Sequence, residues 1–215
     1  MGKRDRSVLL VADIQPDFLP GGALGVAEGD RILDPLRAMM AARRFGLCVA
    51  TQDWHPPGHI SFASSHVGAS VFQQIDLYGH PQTLWPDHCV QGSAGAALHP
   101  ELPWEQAAAI VRKAMDPEVD SYSAFRNNWD RTGQRPPTGL AGYLRERGIE
   151  SCFICGLARD VCVKLSAEDS AQAGFSTYVL WDLTRPIDPD SDEAVRRALT
   201  ACGVRIIQSQ ELDRL

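Results

Sequence analysis

Unbroken apolar runs recur along the chain at Ser7–Ile14 (SVLLVADI), Leu47–Trp54 (LCVATQDW), Ala107–Ala114 (AAAIVRKA), Ser151–Ala158 (SCFICGLA), Ser176–Thr184 (STYVLWDLT) and Val204–Ser209 (VRIIQS). Most do not alternate with polar residues, which is the pattern of strands covered on both faces. Between them lie segments of helical character: Asp30–Gly46, Thr138–Gly148, Val161–Gly174 and Ser191–Gly203. Each closes on a glycine, a residue suited to a left-handed C-cap. Strand–helix alternation with short links predicts an α/β fold in three α/β/α layers, with a mainly parallel, Rossmann-like sheet of six strands. One domain is expected over residues 1–215. The stretch Pro56–Glu105, rich in Gly, Pro, His and Ser, reads as a long functional loop.

Composition narrows the function classes. The chain has 215 residues, 44% hydrophobic and 22% charged, enough to bury a core without staples. The formal net charge of -6 gives no support to a nucleic-acid partner, which would favour a basic face. The apolar run after the first basic residues is too short to span a membrane and lacks a signal peptide's cleavage pattern. A cytoplasmic protein with no membrane partner is expected. Six cysteines in a chain of this length and kind are expected to be reduced thiols.

In a parallel sheet, ligands bind beyond the carboxyl ends of the strands. Asp13 falls at the end of the first run, Asp53 and His55 at the second, Lys113 at the third and Cys162 just past the fourth. Five reactive side chains at four strand ends suggest a site with a nucleophile, an acid/base and a cation. Cys162 is either a core cysteine or a nucleophile. A helix start and a nearby lysine would pull its pKa below the usual value of about 8.5. Asp13 is either a solvated strand-end carboxylate or a base beside the thiol. Lys113 is either a surface lysine or the cation holding the two together. Cys152 and Cys155 form a C-x-x-C, but inside a strand they point to opposite faces, which disfavours a redox pair. Cys48 and Cys202 read as core. Asp53, His55 and the more distant His88 form a carboxylate–imidazole set suited to zinc, manganese or iron(II). His59 and Cys89 compete as ligands, and hydrogen-bonding loop histidines are the other reading.

The stretches DIQPDFLPGGALGV, TQDWHPPGHISFA, LWPDHCVQGSAGAALHP, KAMDPEVDSYSAF and GLARDVCVKLSAEDSAQAG span almost the whole chain. Together they resemble the nicotinamidases, also active on pyrazinamide, within the isochorismatase-like cysteine hydrolases. The resemblance implies hydrolysis of nicotinamide to nicotinate and ammonia, in NAD salvage, through a cysteine thioester. It implies a catalytic triad of Asp13, Lys113 and Cys162, and one divalent metal, zinc first, on Asp53, His55 and His88. It places Phe18 and Trp85 against the substrate ring and the oxyanion hole at the N–H groups of Ala158 and Cys162. A cis peptide between Leu157 and Ala158 comes with that hole. His59 is expected behind the ligands rather than among them, and a homodimer or higher homo-oligomer is compatible with the pattern. Arg159 departs from the smaller residues common in relatives; it would either face solvent or add positive charge near the site. Ala114 and Met115 replace glycine-containing variants after the lysine.

Overall fold

The computed structural model describes residues 4–214, so residues 1–3 and 215 of the expected 1–215 domain lie outside the described residues. Six strands form one all-parallel sheet: β1 Ser7–Ala12, β2 Leu47–Asp53, β5 Ala109–Lys113, β6 Ser151–Leu157, β7 Ser176–Arg185 and β8 Arg205–Ile207. Their order is β5-β2-β1-β6-β7-β8. Four helices connect them: α1 Leu33–Ala41, α2 Leu140–Glu146, α3 Lys164–Gln172 and α4 Asp192–Ala201. β3 Gln74–Leu77 and β4 His80–Thr83 form a separate antiparallel hairpin.

Because successive strand side chains point to opposite faces, the apolar runs feed two cores. Leu9 and Val11 of β1 join Phe153, Cys155 and Leu180 under Leu36 and Met40 of α1. Val8 and Leu10 join Cys152, Ile154 and Val179 under Leu140, Leu144, Ala167, Val195 and Leu199, which come from α2, α3 and α4. Three helices cover the second face, whereas α1 and loop residues such as Phe18, Leu24 and Trp85 cover the first. The parallel α/β/α architecture therefore stands as expected. Cys152 and Cys155 do lie on opposite faces, and all six cysteines are free.

Several boundaries move for local reasons. Gly148, Gly174 and Gly203 take left-handed φ just past α2, α3 and α4. Gly46 does not. The first helix is a 3₁₀ turn at Gly29–Ile32 followed by α1, and the chain turns at Arg43 (φ 46°) instead. Gly46 is required because a Cβ there would collide with the Asp5 carbonyl. Cys202, expected in the core, is exposed just past α4, and Cys48 is only half-buried. The stretch 56–105 holds the β3–β4 hairpin, where Tyr78 and Gly79 both take positive φ, as a mirror-image two-residue turn requires. Among the described residues no helix is long and apolar enough to cross a membrane.

Candidate active site

Strand register brings the reactive residues to one edge. β5 pairs with β2 so that Lys113 lies opposite Asp53, the last residues of their strands. β1 sits between β2 and β6, so Asp13 emerges between Asp53 and the turn that follows β6. That turn, Arg159–Val163, is a wide π turn and carries Cys162; regular α-helix begins only at Lys164. Gly156 lets β6 approach β1 closely, since a Cβ there would collide with the Ala12 carbonyl oxygen. The Leu157–Ala158 peptide is cis.

Lys113, 1% exposed, is the hub. Its Nζ lies 2.9 Å from Asp13 Oδ2, 2.5 Å from Asp53 Oδ1 and 3.7 Å from Cys162 Sγ. It also reaches the carbonyls of Ser121 and Tyr122 at 3.3 Å each. Burial disfavours the lysine's charge, but the two carboxylates outweigh it and hold its pKa well above the ordinary value. Asp13 is fully buried and accepts a hydrogen bond from Thr51 Oγ1 at 2.6 Å. Burial raises its pKa, partly offset by Lys113 and reinforced by Asp53. Cys162 behaves differently from the sequence expectation. Its thiol sits well above the ordinary range, chiefly through burial, with Lys113 opposing and Asp13 and Asp53 adding to the shift. The reason is structural: the residue lies in the π turn, packed under protein, and faces two carboxylates as well as one lysine. The resting thiol therefore keeps its proton, with Asp13 beside it.

Next to this group, Asp53, His55 and His88 place one donor atom each within 4.8 Å of one another. Asp53 Oδ2 is 3.8 Å from His55 Nε2 and 3.9 Å from His88 Nε2. His88 Nδ1 donates to the Pro86 carbonyl at 2.8 Å, which leaves a lone pair on Nε2. Neither ring nitrogen of His55 has a hydrogen-bond partner although both are buried. Burial and His55 lower the His88 pKa to about 4, so its ring is neutral near pH 7. Burial alone would raise Asp53, but Lys113 and the two histidines hold it well below the usual carboxylate range. Two imidazoles and one carboxylate, buried and converging, fit a divalent metal. Asp53 is held for this by Gln15, whose amide accepts from Asp53 N–H at 2.8 Å and donates to its carbonyl at 2.9 Å. His59 is placed differently. Its Nε2 donates to the Asp116 carbonyl at 2.9 Å, so its Nδ1 accepts, and Ser61 N–H occupies that lone pair at 3.2 Å. Its ring packs 4.6 Å from that of His55.

A cavity opens over both groups. Phe18, Trp85, Ala158 and Cys162 line it with the metal-type residues Asp53, His55 and His88. Leu24, Asp120, Tyr122, Val161 and Ile187 line it too, and sequence reasoning assigned them no role. Trp85 Nε1 and Gln82 Nε2 both donate to Tyr122 Oη, at 3.0 and 2.7 Å, and Gln82 also donates to Asp120 at 3.0 Å. Burial and Asp120 push the Tyr122 phenol well above its usual pKa. A larger cleft, bounded by Arg6, Phe45, Phe153, Tyr178 and Arg205, opens at the opposite edge of the sheet. Its lining has no cysteine, histidine or lysine, so chemistry rather than size identifies the site.

Arg159 does not face solvent, and it is not among the side chains that line the cavity. It is buried against Trp181 and paired with Asp192.

Comparison with known proteins bears on the family and the fold. The family model for the isochorismatase domain matches residues 7–211. A nicotinamidase of Acinetobacter baylyi (strain ATCC 33305 / BD413 / ADP1) is 42% identical over 213 residues, covering 99% of this chain and 97% of the relative. The structure of an Acinetobacter baumanii nicotinamidase and pyrazinamidase superposes with a TM-score of 0.90 at 41% identity, covering 97% of this chain and 98% of that one. A pyrazinamidase of Pyrococcus horikoshii, solved in complex with zinc, superposes at 0.76 with 35% identity, covering 94% and 99%.

Proposed function

The chain belongs to the isochorismatase family, and from that premise we infer that it is a nicotinamidase, an amidohydrolase that converts nicotinamide and water to nicotinate and ammonia. The curated nicotinamidase at 42% identity over nearly its full length supports this substrate. The observation that carries the mechanism is Lys113 within 2.9 Å of Asp13 and 3.7 Å of the Cys162 sulfur, beside a buried Asp–His–His set.

Asp13 takes the thiol proton as the sulfur attacks the carboxamide carbon, and Lys113 balances the charge that moves between them. The N–H groups of Ala158 and Cys162 stabilise the oxyanion. Asp13 returns the proton to the departing nitrogen, the C–N bond breaks, ammonia leaves and a thioester remains. Asp13 then deprotonates a water that attacks the thioester, releasing nicotinate and restoring the thiol. Phe18 and Trp85 enclose the ring. Asp53, His55 and His88 would hold one divalent metal, zinc first and manganese or iron(II) next. Bound there, it supplies a Lewis-acidic seat for the ring nitrogen, which is a positioning role. Pyrazinamide, with a nitrogen at the same ring position, is a second substrate. The match over residues 7–211 supports one domain over 1–215. A cytoplasmic location suits a role in NAD salvage.

The test is ammonia release from a panel of carboxamides. Nicotinamide and pyrazinamide should be hydrolysed and benzamide, which lacks the ring nitrogen, poorly. Nicotinamide failing while another amide succeeds would overturn the substrate and leave the thioester chemistry standing.

A further inference from the structure

Arg159 is 6% exposed, and all three nitrogens of its guanidinium donate, in five donor–acceptor contacts. Nε donates to Thr184 Oγ1 at 2.8 Å. Nη1 donates to both carboxylate oxygens of Asp192 at 2.7 Å, and Nη2 to the carbonyls of Thr184 at 2.7 Å and Trp181 at 3.2 Å. Its Cζ stands 4.0 Å from the centroid of the Trp181 ring, and Arg196 stands over the same ring at 3.8 Å. Trp181 and Thr184 belong to β7, and Asp192 opens α4. The next residue continues the clamp. Asp160 accepts from the N–H groups of Ile187 and Asp188 at 2.9 Å each, and Ile187 lines the active cavity.

Arg159 does not line that cavity. What it holds is the turn that does. Ala158 precedes it, Cys162 follows three residues later, and the Ala158 carbonyl receives the N–H groups of both Val161 (3.2 Å) and Val163 (3.1 Å). The turn is thus one closed unit, fastened at its first residue to β7 and α4. We propose that Arg159 is a positioning residue: its clamp onto Asp192, Thr184 and Trp181 holds the turn from Ala158 to Cys162 so that the sulfur and two backbone N–H groups meet one carboxamide. This rests on the hydrolase reading above. Lysine would not replace it, because a point charge cannot fill a five-point planar socket.

Loosening the turn costs transition-state stabilisation, while Phe18 and Trp85 hold the ring from other elements. One oxyanion donor is worth about 10²–10³ in kcat, so partial misalignment is expected to cost about 10- to 100-fold. Arg159→Met and Asp192→Asn separate the possibilities. For each, kcat and KM for nicotinamide are measured, with competitive inhibition by pyridine-3-carbaldehyde and by 3-methylpyridine. The aldehyde adds the Cys162 sulfur to its carbonyl carbon, the thiol proton passing to the carbonyl oxygen, so it reads the clamped turn. The methylpyridine has no carbonyl and reads only the ring seat.

Arg159→Met is expected to lose about 10- to 100-fold in kcat, and aldehyde affinity in step, with KM and methylpyridine affinity near wild type. Asp192→Asn, at a half-exposed side chain, is expected to follow the same pattern more mildly and decides the matter if Arg159→Met does not fold. Wild-type kcat in a folded Arg159→Met, or in Asp192→Asn if Arg159→Met does not fold, overturns the proposal. So does an equal loss of affinity for both inhibitors. A wild-type chain that releases no ammonia from nicotinamide overturns the hydrolase reading itself; an active wild type with unaltered variants overturns only the clamp.

Discussion

Replacing Lys113 with Met removes the one cation shared by two buried carboxylates. Its Nζ sits 2.9 Å from Asp13 and 2.5 Å from Asp53. At an effective dielectric of about 20, each contact is worth about 6 kcal/mol of Coulomb attraction. Desolvation of the three charges offsets most of this, so the net loss is smaller. Breaking a buried pair by removing one partner costs about 3–5 kcal/mol, because a charge is left uncompensated. Asp13, whose pKa burial already raises, would answer by taking up a proton. It then no longer serves as a base, and kcat is expected to fall by about 10²–10⁴. The sign with pH follows. A carboxyl with a raised folded-state pKa loses stability as pH rises from its unfolded value through its folded one, so the variant should be least impaired in acid. Urea denaturation with matched ammonia-release kinetics measures both effects. Adding Asp13→Asn to Lys113→Met removes the orphaned carboxylate and should recover part of the lost stability but none of the activity. A Lys113→Met loss below about 1 kcal/mol, or a double variant no more stable than the single one, would refute the charge argument.

Other perturbations separate the remaining parts of the site. Chelation should raise KM for nicotinamide strongly and lower thermal stability, by about 4 kcal/mol if the metal had been present at a thousandfold its Kd; an unchanged KM would reject the ring-seat role. Tyr122→Phe strips the acceptor from Trp85 Nε1 and Gln82 Nε2. Gln82 keeps Asp120 and the Thr83 carbonyl, but leaving the Trp85 indole N–H unpaired should cost about 1–3 kcal/mol, read mainly as a higher KM. Cys152 is buried and pushed up to about 12, against about 8.5 for an unfolded thiol. Its stabilisation is complete below about pH 8.5 and is lost as pH rises toward the folded value, amounting to about 3 kcal/mol by pH 10.5. The alkaline fall in denaturation midpoint should be shallower in Cys152→Ala, and identical slopes would exclude this source.

Much of this arrangement was readable because parallel strands end together. Once Asp13, Asp53, Lys113 and Cys162 were placed at strand ends, the sheet order alone brought them to one edge. The ordinary alternation of side chains likewise separated Cys152 from Cys155. What stayed hidden depended on packing that periodicity does not report. The β3–β4 hairpin has short strands of mixed polarity and a Tyr-Gly turn in place of the usual Asn-Gly signal. Cys162 was expected to gain from a helix start, but burial and two carboxylates decide its proton affinity, and neither is local in sequence. Arg159 could be placed only through its partners at positions 181, 184 and 192. The pocket residues Asp120 and Tyr122 had a weak signal in the DSYS stretch, whose polar character suits any loop.

The thioester on Cys162 is the centre of the mechanism, and quenching the enzyme during turnover with nicotinamide tests it most directly. Intact-mass measurement should show the chain heavier by a nicotinoyl group less one hydrogen. Peptide mapping should place that group on Cys162, hydroxylamine should remove it, and Cys162→Ala should neither form it nor release ammonia. Sustained ammonia release by Cys162→Ala, or a nicotinoyl group carried on another residue, would contradict the mechanism.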